Sequence, residues 1–371
     1  MTGAMADAGL PKAAPVRVAG RAPAAKPPVR RIAVFRALQL GDMLCAVPAL
    51  RALRNAWPHA EITLIGLGDG GDFRRRFSRY IDDWMRFPGL DAFPEQRADE
   101  AALPAFYEHA RARRFDLALQ MHGSGQLSNG VVRRLGARQW IGFMPAGGIP
   151  EEGARVAWPD ELPEPLRYLK LVEALGVPAD DPALELPLTG DDYAESRALC
   201  REHRLAPART VLVHPGARLR SRRWPVERFG AVAAALANEG WQVAVTGTRD
   251  EADIVRTTIA ASGIDAVDLC SRTSLGGLAA LAAQCRLVVC NDTGMSHVCA
   301  AVGAPSVVVA SGSDVRRWAP LDADRHNVLW KAVPCRPCAY EDCPIGHPCA
   351  LGVEVDQVLA AARRRLGEEG A

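Results

Sequence analysis

"RRIAVFRALQLGDMLCAVPALRALRNAWPHAEITLIGL" (residues 30–67) decides how the chain folds. Ile32 to Phe35 form a short apolar run of strand length. The loop RALQLGD follows. Apolar side chains then recur at Leu44, Val47, Leu50 and Leu53, the spacing of a helix with a buried face. Trp57-Pro58 ends that helix, and Ile62 to Ile65 form the next strand. Strand, helix, strand in this order is a βαβ unit, and a crossover of this length joins parallel strands.

The alternation continues outward from this unit. RRFDLALQMHG reads as strand then loop, RQWIGF as a strand, and PEPLRYLKLVEALGVP as an amphipathic helix stopped by Gly176 and Pro178. The Pro- and Asp-rich stretch VPADDPALELPLTGDD (residues 177–192) reads as a linker. The pattern then restarts. TVLVHPGA, WQVAVTGT, RLVVCNDTG and PSVVVASGS are strands running into turns, separated by helices such as PVERFGAVAAALANEG and MSHVCAAVG. The expected fold is α/β with two parallel sheets. Residues 30–185 make the first domain and 186–350 the second, and 351–371 form a C-terminal helix.

Composition narrows the function classes. Of 371 residues, 49% are hydrophobic and 24% charged, enough for two packed cores. Lys and Arg total 45 against 43 Asp and Glu, a formal net charge of +2 that gives no support to a nucleic-acid partner. No apolar run reaches the roughly 18 residues that span a bilayer. Residues 1–29 are Ala- and Pro-rich with scattered basic residues and lack the apolar core of a secretory signal. They read as a disordered basic tail, with weak attraction to an anionic membrane surface as the sharper alternative. The expected location is the cytoplasm.

In open α/β sheets, ligands bind beyond the carboxyl ends of the strands. The polar clusters RALQLGD, HPGARLRSRRWP, TGTRDE and NDTGMSH all fall there. Their chemistry suits an anion. Thr293 and Gly294 open a helix, so free N–H groups and the positive end of its dipole face the ligand. Arg218, Arg220, Arg222 and Arg223 supply cations able to grip a phosphate through paired hydrogen bonds. A diphosphate fits, with Glu251 accepting from ribose hydroxyls. Each piece also has a plain structural explanation: a helix cap at Asp292-Thr293, a solvated arginine loop, a packed His297. Four such clusters at successive strand ends favour a ligand site. No GxGxxG follows the first strand and no GxxxxGK[ST] occurs, which argues against an ordinary nicotinamide enzyme or a P-loop NTPase.

Taken together, RALQLGDMLCAVPALRALR, HPGARLRSRRWPVERF, VTGTRDE and NDTGMSHVCAAVGAP resemble glycosyltransferase family nine, the ADP-heptose:lipopolysaccharide heptosyltransferases, from about residue 31 to 365. The resemblance implies the GT-B fold: two Rossmann-like domains facing across a cleft, acceptor on the first and nucleotide-sugar donor on the second. It implies an inverting transfer of heptose from ADP-heptose to a glycolipid acceptor of the lipopolysaccharide core, with no cofactor in the chemical step. The enzyme would work in the cytoplasm, peripheral at the cytosolic face of the inner membrane. Asp42, in the Gly41-Asp42 turn, matches the general base, and Arg36 would help position acceptor or donor. The plain structural reading of Asp42 is a helix N-cap, a role compatible with that of base, which would hold it ionised but make it a weaker base. Arg222 stands where the family commonly has Lys on the donor diphosphate. Asp292, Thr293 and Gly294 match the phosphate-binding turn, with Ser296 and His297 behind it, and Glu251 falls near the nucleoside ribose.

CRPCAYEDCPIGHPC places Cys335, Cys338, Cys343 and Cys349 within fifteen residues, with His347 among them. One reading is a closed, structural zinc site. The others are reduced thiols or a single disulfide. The six remaining cysteines lie mostly among apolar residues and read as small buried hydrophobes. Two rival functions remain: a nucleotide-sugar epimerase on the same fold, and a non-catalytic nucleotide-binding protein.

Overall fold

The computed structural model describes residues 28–338 and 340–367; the expected tail lies outside the described residues, apart from residues 28 and 29. Among the described residues, twelve strands form two sheets. The first holds β1 (Arg31–Phe35), β2 (Glu61–Gly66), β3 (Asp83–Arg86), β4 (Leu117–Gln120), β5 (Gln139–Met144) and β6 (Ala154–Ala157), in the order β3-β2-β1-β4-β5-β6. The second holds β7 (Thr210–His214), β8 (Gln242–Val245), β9 (Val267–Asp268), β10 (Leu287–Asn291), β11 (Ser306–Ala310) and β12 (His326–Trp330), in the order β12-β11-β10-β7-β8-β9. Every pairing is parallel.

The two sheets share one winding scheme. Each chain segment starts mid-sheet, runs to one edge, returns beside its first strand and runs to the other edge. The turnaround lies between β1 and β4 in the first sheet and between β7 and β10 in the second. Loops leaving those neighbours diverge and open a crevice beyond the carboxyl ends. The turn at Asp42 and the turn at Asp292–Gly294 therefore each sit at a switch point.

Helices cover both faces of each sheet, which is why the central strands are apolar throughout rather than alternating. Ile32, Val34 and Phe35 in β1, and Val211, Leu212 and Val213 in β7, are fully buried. The Leu40–Ala56 helix carries the expected buried residues Leu44, Val47, Leu50 and Leu53, and it is buried beyond that stripe. Its second apolar neighbour explains this. Met43, Leu44 and Val47 share one core cluster with Met295, Val298 and Cys299 of the Gly294–Val302 helix in the other half. The hydrophobic core is thus continuous from one half to the other and closes the floor of the cleft.

Residues 177–189 carry no regular element. Thr189 then starts the Gly190–Glu202 helix with a reciprocal capping box to Asp192. Hydrogen bonds at Asp192 and Glu185 tie this passage to the first half. Arg76 grips Asp192 through two hydrogen bonds of 2.6 and 2.8 Å, and Glu185 accepts from Arg51 at 3.1 Å and Tyr80 at 2.8 Å. The Val355–Gly367 helix buries Val358, Leu359 and Ala362 in the same cluster as Val211 and Val213, so it packs on the second sheet.

Candidate functional site

A cavity of roughly 590 Å³ lies between the halves, lined by Gly41 and Asp42 from the first and by Arg218, Arg222, Glu251, Asp292, Thr293, Gly294 and His297 from the second. The clusters expected at four strand ends do converge on one space.

On the first side, the Leu40–Ala56 helix has Gln39 as its N-cap, and Asp42 falls inside the first turn. The cap alternative for Asp42 is therefore corrected. Its expected effect is corrected as well. Burial raises the Asp42 pKa, Arg36 opposes this, Glu164 adds to it, and His297 and Arg317 oppose it more weakly; the net direction is up. A carboxylate raised in this way is a stronger base than a capping one. Arg36 does not reach the cavity. It is fully buried, and its Nε donates to the Asp42 carbonyl at 2.8 Å while Nη1 donates to the Met121 carbonyl. It holds the turn rather than a ligand.

On the second side, Thr293 caps the Gly294–Val302 helix, its hydroxyl accepting the Met295 amide at 3.4 Å. Gly294 faces open space, so an anion can approach the start of that helix closely, where the dipole is positive. Ser296 is fully buried, its Oγ 2.7 Å from the Thr293 carbonyl and 3.4 Å from Asp292 Oδ1. It shapes the turn from behind, whereas His297 lines the cavity. Asn291 explains its own place in the motif. Its side chain accepts the Trp224 amide at 2.9 Å and donates to the Pro215 carbonyl at 2.8 Å, tying three loops together.

The arginine run divides. Arg220 turns outward to Asp342, and Arg223 donates to the Ala217 carbonyl at 2.7 Å. Arg218 and Arg222 line the cavity. Arg222 is buried enough that desolvation lowers its pKa, with Asp292 opposing, and its buried Nε has no hydrogen-bond partner. Glu251 caps its own turn, accepting the Thr248 amide at 2.8 Å and hydroxyl at 3.0 Å, while its carboxylate leaves no room for a side chain on Gly216. Beyond the expected set, His214, Leu275, Leu278 and Trp318 also line the wall. Leucines in an apolar helix and a histidine ending a strand carry no local sign of such a role.

The cysteine segment packs against the Arg222 loop. The Ser221 amide donates to the Glu341 carbonyl at 2.8 Å, Arg222 lies 3.4 Å from the Cys338 carbonyl, and His347 Nε2 lies 2.9 Å from the Ser221 carbonyl. All four thiols are free. Among the described residues, no three His, Cys, Asp or Glu side chains gather as a metal-binding group. The expected zinc set is not formed in this arrangement. Cys335 is exposed, Cys349 is buried, and the Cys343 sulfur already accepts the His347 amide at 3.1 Å. No helix among the described residues is long and apolar enough to cross a membrane.

Against known proteins, residues 105–348 match the family model of glycosyltransferase family 9 (heptosyltransferase). The chain is 25% identical over 374 residues to lipopolysaccharide heptosyltransferase 2 of Salmonella typhimurium, covering 92% of this chain and 99% of that one. Among solved structures it resembles a family 9 glycosyl transferase from Veillonella parvula, with TM-score 0.75 and 21% identity over 91% of this chain and 97% of that one. It also resembles the ADP-heptose heptosyltransferase II of E. coli, with TM-score 0.69 and 20% identity over 92% and 100%. The architecture these structures share with it is GT-B.

Proposed function

The chain belongs to glycosyltransferase family 9, and from that premise we propose that it moves a heptose from ADP-heptose to a hydroxyl of a lipopolysaccharide-core glycolipid, inverting the anomeric carbon. Asp42 takes the proton of the acceptor hydroxyl as that oxygen attacks the anomeric carbon. The bond from this carbon to the diphosphate breaks on the opposite face, and its electron pair leaves with ADP. Arg222, Arg218 and the helix start at Gly294 receive the developing charge. Glu251 accepts from the ribose. The protein's own cations serve this purpose, so the chemical step needs no metal ion. The acceptor enters from the cytosolic face of the inner membrane, with the enzyme peripheral there.

One observation carries the reading. Arg222 is a half-buried cation whose buried Nε lacks a hydrogen-bond partner among the described residues, on the wall of a cavity that Asp42 lines from the other half. A guanidinium whose buried N–H is unpaired costs stability until an anion completes it. The family's heptosyltransferases, named above, favour ADP-heptose as that anion.

Calorimetric titration with ADP, UDP, GDP and ADP-heptose, without added metal, tests the donor. Selective binding of ADP and ADP-heptose supports the proposal. Preference for UDP or GDP overturns the donor and revives the epimerase reading. Binding to none of them leaves a non-catalytic scaffold.

A further inference from the structure

Behind the Asp42 turn lies a charged group that the proposed reaction does not use. Glu164 begins the Glu164–Glu173 helix of the first half and is completely buried. Its Oε1 accepts the Tyr168 hydroxyl at 2.5 Å and Arg317 Nη2 at 3.2 Å, and its Oε2 accepts Arg317 Nε at 2.6 Å. Arg317 belongs to the other half, on the short Val315–Trp318 turn that follows β11. Arg36 Nη2 lies 3.4 Å from the same Oε1. That guanidinium stacks 4.3 Å from the Tyr168 ring centre and is the one whose Nε holds the Asp42 carbonyl at 2.8 Å.

A single carboxylate thus stands between two cations from opposite halves, with Arg167 a third, 3.9 Å from Oε2. Burial works to raise the Glu164 pKa, but Arg317 and Arg36 overcome it and hold it below the usual value. Without that charge, Arg36 and Arg317 would repel each other in a water-poor interior, where removing one partner of a buried pair is strongly unfavourable.

We infer that Glu164 is a positioning residue for the transfer step: it joins Arg317 of the donor half to Arg36, which carries the Asp42 turn, so the base is set only when the two halves are docked. Asp42 would then point at the acceptor hydroxyl when the donor side is in place. The inference rests on the transferase reading above, and its test separates the two.

Hydrogen exchange needs no substrate. Amides of residues 39–46 should exchange faster in Arg317→Gln, although that substitution lies in the other half, and in Glu164→Gln. Unchanged exchange in Arg317→Gln overturns the inference whether or not the protein turns over ADP-heptose. Arg317 is 28% exposed at its side chain, so this variant decides the matter even if Glu164→Gln fails to fold.

Kinetics supply a second readout wherever the wild type transfers heptose. Misplacing a base by about 1 Å costs on the order of a hundredfold in rate, so kcat should fall on that scale with the donor KM little changed. The pH profile carries a sign. Asp42 is faced by Arg36, Glu95, Glu164, His297 and Arg317, and by Cys45 on its own helix. Glu164 raises its pKa and Arg317 lowers it. The acid limb of kcat should therefore move to lower pH in Glu164→Gln and to higher pH in Arg317→Gln. Limbs that stay put, or move the same way, contradict the positioning role.

Discussion

Gly41 and His297 meet across the cleft: a methyl group on Gly41 would lie 2.8 Å from His297 Cδ2 and 3.3 Å from the Gly294 Cα. The first turn of the Leu40–Ala56 helix and the first turn of the Gly294–Val302 helix therefore approach backbone to backbone. Both helix starts face one cavity, and the glycine lets them come that close.

Gly41→Ala should push the His297 ring or separate the halves, and Gly41→Val should do so more strongly. Transfer should fall by about tenfold to a hundredfold in the alanine variant and further in the valine variant. The helical circular dichroism should be retained. Full activity in Gly41→Val would show that the close approach is not needed for turnover.

Asp42→Asn should lower transfer by about 10²- to 10⁴-fold, the usual contribution of a general base, and leave ADP affinity unchanged in calorimetry. Lost ADP affinity with intact transfer would move Asp42 out of the base role.

The same substitution has a stability consequence with a definite sign. Burial raises the folded-state pKa of Asp42 above its unfolded value, about 3.9 for a free aspartate. Between those values the folded state binds more protons, so stability falls as pH rises. Above the folded value the penalty is complete. Asp42→Asn removes it. Thermal melts should show almost no gain below about pH 3 and a gain that grows to a plateau towards neutral pH. A variant less stable than wild type at neutral pH would contradict the direction.

Arg222→Met should weaken ADP binding about 10- to 100-fold, the scale of a hydrogen bond to a charged group. It should not lower the Tm of the ligand-free protein, because it removes a half-buried cation whose buried Nε has no hydrogen-bond partner among the described residues. Arg222→Lys, the residue the family resemblance puts here, should recover most of the affinity. Unchanged ADP affinity in Arg222→Met would remove the residue from the diphosphate site.

A chelator should change neither turnover nor Tm. The four cysteines of the 335–349 segment form no metal-binding group among the described residues, and Arg218 and Arg222 already supply positive charge to the cavity. A fall in Tm alone would put a structural metal in that segment. A fall in kcat alone would put one in the reaction.

The sheet cores and the turns at Asp42, Arg222, Glu251 and Thr293 are legible in the sequence because their signals are local. Periodicity marks the strand and helix, and polar residues at a strand end mark the mouth of an α/β sheet. The Glu164–Arg317 pair is not legible, because its partners stand 153 residues apart. In PEPLRYLKLVEALG, Glu164 reads as an ordinary acidic first-turn residue. The division of the arginine run has the same cause: Arg220 turns outward because Asp342, far along the chain, pairs with it. Arg36 sits next to the turn in sequence, yet its burial follows from Met121 and Glu164, which come from other elements. Asp42 leaves the cap position because the helix starts at Leu40.

The most direct test is a single reaction: purified protein, ADP-heptose and a heptose-acceptor core glycolipid, without added metal, followed by mass spectrometry and by nuclear magnetic resonance of the new linkage. One heptosyl unit should be added per acceptor, ADP should be released in equal amount, and the anomeric configuration should be inverted relative to the donor. Retention of configuration would contradict the role given to Asp42. Tight binding of ADP-heptose with no transfer to core acceptors would contradict the assignment as a heptosyltransferase of the lipopolysaccharide core.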